Sequence, residues 1–384
     1  MRIWLKTALV WGAIALPAWA YDDHPIRIGI VESTQAATLS AAVPASLYAG
    51  DQLLAHAQPG DQLGISFASG SIQLSGIASE SVPGPVQWRP DAPGADARVK
   101  VGRHPYRGGF EVLVKGGGLT VVNELPMEDY LKGVVPSESI PSWALDALKA
   151  QAVAARTYAV SHLGQFASLG YDLKASVQSQ AYNGASVEKP STDQAVEETR
   201  GQILTYHGQP IEAFYSDSAG GCTEACLDAW GHDIPYLQSV VDFDQESPRY
   251  FWDLAIPSDR VTKALAKLGV SIGDLQDLQV TQRSATGRVK HVNLIGSAGS
   301  ADVSGEKLRF AFGLRSTYFN VARQPDGTLA FAGRGWGHGV GMSQWGAKAM
   351  ADMGYPYDQI LAHYYPTTEL KGWDGARPTQ AVFK

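Results

Sequence analysis

The chain has 384 residues, 45% of them hydrophobic and 18% charged, the balance of an ordinary globular protein and not of a disordered one. Its formal net charge is -7. That acidic balance excludes nucleic acid as the main partner, since phosphate binding needs clustered Lys and Arg, and an anionic polymer would have to be recognised locally.

Residues 1–20, MRIWLKTALVWGAIALPAWA, place Arg2 and Lys6 ahead of an apolar run and end in Ala18-Trp19-Ala20, the small-x-small pattern of a signal-peptidase site. They read as a cleaved export signal rather than an anchor, because the run is short for a bilayer span. No other segment is long enough, so no transmembrane segment is expected in the mature chain. Losing Arg2 and Lys6 takes the formal charge from -7 to -9. No cysteine follows the cleavage site, so a lipid anchor is not expected there. The mature chain is long enough for two domains, or one with a large appendage.

From Ile26 to about Ile77, short runs alternate apolar and polar residues (IRIGIV, LLAHA, LGISFA, SIQLSGIA) between Gly, Pro and Ser, and read as β-strands. The Pro- and Gly-rich SVPGPVQWRPDAPGADA reads as a linker or long loop. ARVKVG, FEVLVKG and LTVVNEL read as further strands. Residues 21–118 are therefore assigned to a β-rich N-terminal region.

The chain then changes character. Ser142 is a candidate N-cap, and WALDALKAQAVAARTYAVSHL, Trp143 to about Leu163, has strong helix formers with Leu145, Leu148, Ala152, Ala155 and Ala159 at helical spacing. So many alanines predict a helix buried on more than one side, in which Arg156 needs a carboxylate or a ligand. QILTYHGQPIEAFYSDS reads as a hairpin turning at His207-Gly208. A weaker helix covers about Pro257 to Leu268, strands return through DLQVTQRS, RVKHVNLIG and the residues to Val321, and a last helix runs from about Ser343 to Met353 after GRGWGHGVG. The expected class is α+β: β-rich, with a buried Ala-rich central helix and a C-terminal helix after a glycine-rich loop.

Three stretches carry chemistry-bearing residues. In VVPSESIPSW, Glu138 is the only ionisable group, in what reads as a loop between two prolines, beside Val134, Val135, Ile140 and Trp143. Such surroundings disfavour a charged carboxylate and suit a general acid, although a solvent-exposed Glu or an aid to the helix N-terminus fits the same residues. In GWGHGVGMSQW, the absence of a Lys-Ser/Thr ending argues against a phosphate loop. Dense glycines there let backbone approach a ligand, Trp336 and Trp345 offer flat faces for sugar rings, and His338, Ser343 and Gln344 offer hydrogen bonds; a tight structural turn is the competing reading. In YSDSAGG, Asp217 and Ser218 could contact a ligand, orient Glu138 or merely form a turn. A serine-hydrolase triad of Ser218 or Ser343 with His338 is disfavoured, because neither serine sits in a nucleophile elbow. Cys222 and Cys226 read first as a disulfide, second as half of a metal site and third as two free thiols.

The runs NELPMEDYLKGVVPSESIPSWALDALKAQAVAARTYA, AFYSDSAGG and GRGWGHGVGMSQWGAKAMADMGYPYDQILAHYYP, in that order, resemble the stage II sporulation protein D and amidase-enhancer family of cell-wall proteins. The likeness spans about Val121 to Pro366 and implies a catalytic domain over residues 119–370, with 371–384 as a tail. It implies an exported lytic transglycosylase that cuts peptidoglycan between N-acetylmuramic acid and N-acetylglucosamine, in strands stripped of stem peptides, leaving 1,6-anhydro ends. Glu138, in the Pro136-Ser137-Glu138 motif, would be catalytic. One carboxyl can suffice, because the muramic acid 6-hydroxyl attacks its own anomeric carbon and no water needs activating.

Arg156, Tyr215, Ser218, Trp336, His338, Ser343 and Gln344 are expected to contact the glycan. Some relatives hold zinc in the segment matching YDLKASVQSQAY. Here Lys174, Gln178 and Ser179 stand where ligands would be expected, and the cysteines have only His232 nearby, so no metal or other cofactor is expected. The expected location is secreted, periplasmic or wall-associated. Two rival readings are a non-catalytic wall-binding module that recruits or stimulates an N-acetylmuramoyl-L-alanine amidase, and hydrolysis with Asp217 or Glu128 as second carboxylate.

Overall fold

The computed structural model describes residues 25–92, 94 and 97–375; the expected export signal lies outside the described residues, as do residues 376–384 of the expected tail. The architecture is α+β and β-rich. A seven-stranded sheet, in the order Leu173–Lys174, Pro25–Thr34, Gly118–Pro126, Gly109–Lys115, Val86–Pro90, Ala45–Ala49, Gln52–Ala57, faces a six-stranded one. The second runs His104–Tyr106, Val99–Val101, Ala36–Ala41, Gln62–Ala68, Ser71–Gly76, Ser81–Val82. Their inward positions, among them Leu47, Trp88 and Val112 of the first sheet and Leu39, Leu63 and Ile72 of the second, share one core. Alternation of apolar and polar residues puts one face of the outer strands inside, while the central Gly118–Pro126 is buried along nearly its whole length.

The stretch expected to be a linker contributes a strand instead. Val86–Pro90 lies between Ala45–Ala49 and Gly109–Lys115, with Trp88 completely buried. The apolar-polar alternation of Val-Gln-Trp-Arg-Pro outweighs the flanking Pro and Gly, which mark the strand's ends rather than a break between domains.

Strands Pro25–Thr34 and Gly118–Pro126 pair from Pro25↔Pro126 to Thr34↔Leu119. Ile26, Ile28 and Leu125 carry this pair into a second core built on helices α1 (Met127–Glu138) and α2 (Leu145–Ser161). Helix α2 is buried nearly all round. Ala152, Ala155 and Ala159 face this core, while Ala150, Val153 and Ala154 face another, formed with Leu204, Met342, Ala347 and Tyr364. Methyl-sized side chains on both faces let two cores close on one helix, the physical reason for the alanine run. Helix α3 (Pro190–Glu198) packs beside it. His207 and Gly208, with φ 49 and 75, make the tight turn after strand Gln202–Tyr206.

Helix α4 (Cys226–Trp230) precedes a part with its own core, in which Trp252, Leu294 and Phe331 come from strands and Val261 and Leu308 from helices α5 (Ser258–Lys267) and α6 (Gly305–Phe312). Residues 305–312 were expected to be extended. Ser304 instead caps α6, its hydroxyl accepting from the Lys307 N–H at 3.2 Å. The chain returns through the glycine-rich block to α7 (Gln344–Asp352), which is not the last helix: α8 (Tyr357–Tyr364) follows, with Pro356 at its N-cap, burying Ile360, Leu361 and Tyr364. Part of the expected tail is a strand, since Lys371 and Gly372 pair with Ile203 and Gln202. Among the described residues no helix is long and apolar enough to cross a membrane.

Candidate active site

Glu138 is not in a loop; it is the last residue of α1. Pro136 sits inside that helix, where it removes one backbone donor in the final turn. The bond it removes is the one to the Lys132 carbonyl, while the hydroxyls beside it bond other carbonyls, Ser137 donating to Gly133 and Ser139 to Val135, each at 2.7 Å. Only two helical residues follow the proline, so a residue that in sequence reads as a breaker costs the helix little.

The Glu138 carboxylate is half-buried. Its Oε1 accepts from the Ala181 backbone N–H at 2.6 Å, and the Gln344 side chain lies beside it, close enough to act as a second donor. Burial raises its pKa above the ordinary carboxylate value, while those two donors partly oppose the rise. Tyr130, Tyr158 and Tyr215 stand close enough to feel its charge; burial is the first cause raising each phenol's pKa, and the Glu138 carboxylate adds to it. No carboxylate contributes to the Glu138 shift among the described residues.

Both donors are themselves held in place. Gln180 Oε1 accepts from the Tyr130 hydroxyl at 3.2 Å, and its Nε2 donates to the Ala155 carbonyl at 3.2 Å and the Tyr215 hydroxyl at 2.9 Å. That buried amide ties α1, α2 and strand Tyr215–Ser216 together and sets the next residue's N–H against Glu138. Tyr182 packs so tightly on α1 that a Cβ at Gly133 would lie 2.5 Å from its ring. Gln344 opens α7 and also donates to Gln151 of α2 at 3.2 Å. Gln180 and Ala181 do not stand out in the sequence, because a lone amide and a backbone N–H carry no local signal of the carboxyl they serve.

The other expected contacts divide sharply. Gln344 and Tyr215 are at Glu138. Arg156 is not placed to contact a glycan: it is completely buried, with Nε and Nη2 bonded to Glu128 at 2.8 and 2.6 Å and further bonds to the Gln202 and Val196 carbonyls. The same pairing removes Glu128 as a second catalytic carboxylate. Asp217 is engaged by Arg249.

Ser218 is buried and donates to Asp244, which also accepts from the Gly220 N–H at 2.7 Å and the Gly221 N–H at 2.9 Å. It neither reaches a ligand nor orients Glu138. Ser343 is the N-cap of α7, accepting from the Gly346 N–H at 3.2 Å, and is fully buried. His338 accepts from the Val340 N–H at 3.0 Å and lines a cavity of about 140 Å3 with Glu224, Trp230 and Arg288, away from the hydrogen bonds around Glu138. Burial first, then Arg309 and Arg288, push its pKa down to about 3, so it is neutral. With Ser343 capping a helix and Ser218 held by Asp244, no serine-hydrolase triad forms.

Trp336 has the Arg315 and Arg249 guanidiniums over its ring, 4.1 and 4.9 Å from the centroid. Trp345 packs edge-on against Trp143 at 5.2 Å, beside the end of α1. The glycines between them serve chain packing more than ligand approach. A Cβ at Gly341 would lie 2.0 Å from the Phe214 carbonyl oxygen and one at Gly337 2.6 Å from Ser216 Cβ, because Met342–Ser343 pairs in parallel with Tyr215–Ser216.

The expected disulfide is absent: Cys222 and Cys226 are free thiols, the second in a core. Cys222 bridges Val241, the Thr223 N–H donates to the Val240 carbonyl at 2.9 Å, and the Cys226 N–H to the Leu237 carbonyl at 2.9 Å. Backbone running out along 237–241 in this way separates two residues four apart instead of closing a small loop. Among the described residues no group of three or more His, Cys, Asp or Glu side chains is placed to hold a metal.

Comparison with known proteins gives the same region prominence. A family model described as a stage II sporulation protein matches residues 115–206, which carry α1, α2, Glu138, Gln180 and Ala181. A second, for a domain of unknown function, matches residues 232–341, the stretch containing α5 and α6. An uncharacterised protein of Brachyspira hyodysenteriae is 33% identical over 269 residues, 69% of this chain and 72% of that one. The stage II sporulation protein D of Bacillus subtilis is 34% identical over 270 residues, 66% of this chain and 76% of its own. The amidase enhancer of the same species is 34% identical over 294 residues, but the match spans only 40% of its length.

Proposed function

This chain belongs to the stage II sporulation protein D and amidase-enhancer family, and on that premise we propose that it is an exported peptidoglycan lytic transglycosylase with Glu138 as its single acid and base. The observation that carries the reading is the isolation of Glu138. Its carboxyl is half-buried, its proton is held more tightly than an ordinary carboxylate's, and its hydrogen-bond partners are an amide N–H and a glutamine rather than a second carboxylate. Water-activating glycosidases need two carboxyls. A lone one suits a reaction whose nucleophile is part of the substrate.

In that reaction the Glu138 carboxyl gives its proton to the oxygen linking C1 of N-acetylmuramic acid to N-acetylglucosamine, and the C1–O bond breaks. The muramic acid O6 then bonds to C1, and its proton passes to the Glu138 carboxylate. The acid is regenerated and no water is consumed. The 6-hydroxyl is already attached to the ring it attacks, which supplies the proximity. Burial favours the protonated state needed first, while the Ala181 N–H and Gln344 steady the carboxylate formed next.

The test is the mass of the products from peptide-free glycan strands. Ends lighter by one water than reducing ends support the reading, and reducing ends would sink it. A Glu138→Gln protein that cuts as fast as its parent would remove Glu138 from the mechanism. The name of the Bacillus subtilis amidase enhancer favours a second reading, in which the chain stimulates a cell-wall amidase without cutting glycan itself. It predicts that Glu138→Gln protein stimulates such an amidase as well as the parent does, with no cleavage by either.

A further inference from the structure

The arginines over Trp336 take no part in the proton transfers just described. A guanidinium stacked on an indole face is fixed in position while its edge N–H groups stay available to a planar acceptor. Arg249, half-exposed, spends part of that capacity on Asp217. Arg315 is exposed and, among the described residues, pairs with no carboxylate, although the chain as a whole is acidic at -7. Two cations held against one indole, with a single acidic partner between them, make a local site for an anion. The site is linked to the acid by a short run of neighbours: Gln344 lies beside Glu138, the N–H of the next residue, Trp345, donates to the Asp217 carbonyl at 3.1 Å, and the Asp217 side chain holds Arg249.

We propose that Arg315 and Arg249, braced on Trp336, form an outer subsite that binds the free lactyl carboxylate of an N-acetylmuramic acid residue in the strand presented to Glu138. The inference rests on the glycan-cleaving reading. Where a stem peptide is attached, that carboxyl is an amide, uncharged and followed by a bulky chain. Where the peptide has been removed, it is an anion that a guanidinium can grip through two parallel N–H···O bonds. The subsite therefore distinguishes the two kinds of strand by charge at the reading group, and Asp217 keeps Arg249 aimed while leaving Arg315 free.

The test separates binding from cutting. Full-length Glu138→Gln protein is titrated calorimetrically with peptide-free glycan oligosaccharides, and with the same oligosaccharides after their lactyl carboxylates are converted to methylamides. At low salt the carboxylate form is expected to bind about tenfold more tightly, as a charge-assisted hydrogen bond does. Adding Arg315→Ala should bring the ratio close to one, and Arg315→Lys should keep part of it, with unfolding midpoints matched so that misfolding is not the cause. An undiminished ratio in the Arg315→Ala protein, or no ratio in its parent, overturns the subsite. Cleavage by protein with Glu138 intact is scored separately: discrimination without cleavage upholds the subsite and defeats the transglycosylase reading, and cleavage without discrimination does the reverse.

Discussion

Exchanging Glu128 for Gln should destabilise the chain by several kcal/mol because both it and its partner Arg156 are buried away from solvent. Arg156 is completely buried and draws both oxygens of Glu128, at 2.8 and 2.6 Å. In the variant the guanidinium keeps the carbonyls of Gln202 at 3.1 Å and Val196 at 3.2 Å, but its charge has no counterion and one of its N–H groups meets an amide NH2. Leaving one member of a buried pair uncompensated costs about 3–5 kcal/mol. At about 2–4 °C per kcal/mol for a chain of some hundreds of residues, the midpoint should fall by roughly 10 °C. Thermal and urea unfolding, followed by circular dichroism, would measure it. Arg156→Met should be similarly unstable, whereas the Glu128→Met/Arg156→Met double variant should recover most of the loss, since the buried charges go together. A Glu128→Gln protein within about 1 kcal/mol of its parent, the worth of a surface pair, would refute the reasoning. So would a double variant no better than the singles. A stable double variant unable to bind glycan would make Arg156 a glycan contact after all.

Glu138→Gln keeps an oxygen for the Ala181 N–H, so the fold should persist while glycan cleavage falls by about 10²–10⁴-fold. Its stability should change with a definite sign. Because the folded-state pKa of Glu138 is raised, ionising it opposes folding above that pKa and has no effect below the unfolded-state value; the Gln variant should therefore outlast its parent at neutral pH and match it in acid, and equal midpoints at neutral pH would contradict this. Gln344→Leu removes a donor that steadies the carboxylate, so the Glu138-dependent limb of the kcat–pH profile should move upward; an unmoved limb would uncouple the two residues. Ser343→Ala strips the N-cap of α7 and should cost about 1 kcal/mol with KM unchanged, whereas a raised KM at an unchanged midpoint would make Ser343 a substrate contact.

What the sequence made legible follows from how local each signal is. The Ala-rich run announces a buried helix because helix propensity and small side chains act within a few turns, and the structure sets α2 between two cores. Strand patterns around Leu63 and Ile72 carry their own period of two. Glu138 stood out as a lone carboxyl among apolar residues, an environment its immediate neighbours already specify. Partnerships across long separations were not legible. Arg156 needs a carboxylate, but nothing in the spacing distinguishes Glu128 from a ligand. Ser343 and Ser218 look like exposed hydroxyls until α7 and Asp244 claim them. Pro136 reads as a breaker, but it falls in the last turn of α1, where it costs one backbone bond and only two helical residues follow it. Helix α8 went unread because it is short and follows a proline, with its burial supplied by residues elsewhere.

The glycine-rich block shows how a sequence feature that looks like ligand chemistry can serve the site indirectly. Its backbone lies against Tyr215–Ser216 so closely that any side chain at Gly341 would collide with the Phe214 carbonyl. That approach ends at Ser343, whose cap starts α7, and Gly346 in its first turn lies so near Asp242 and the Tyr364 hydroxyl that an added Cβ would fall 1.8 Å and 2.1 Å from them. The start of α7 is therefore fixed on three sides before Gln344 extends towards Glu138. Ala181 is fixed by the residue before it, Gln180, which bonds the Tyr130 and Tyr215 hydroxyls. Two donors from segments more than 160 positions apart in the chain thus meet one carboxyl at the end of a helix. A carboxyl that must first release and then recover a proton gains from donors that do not move between the two states, because no reorganisation is then needed when its charge appears.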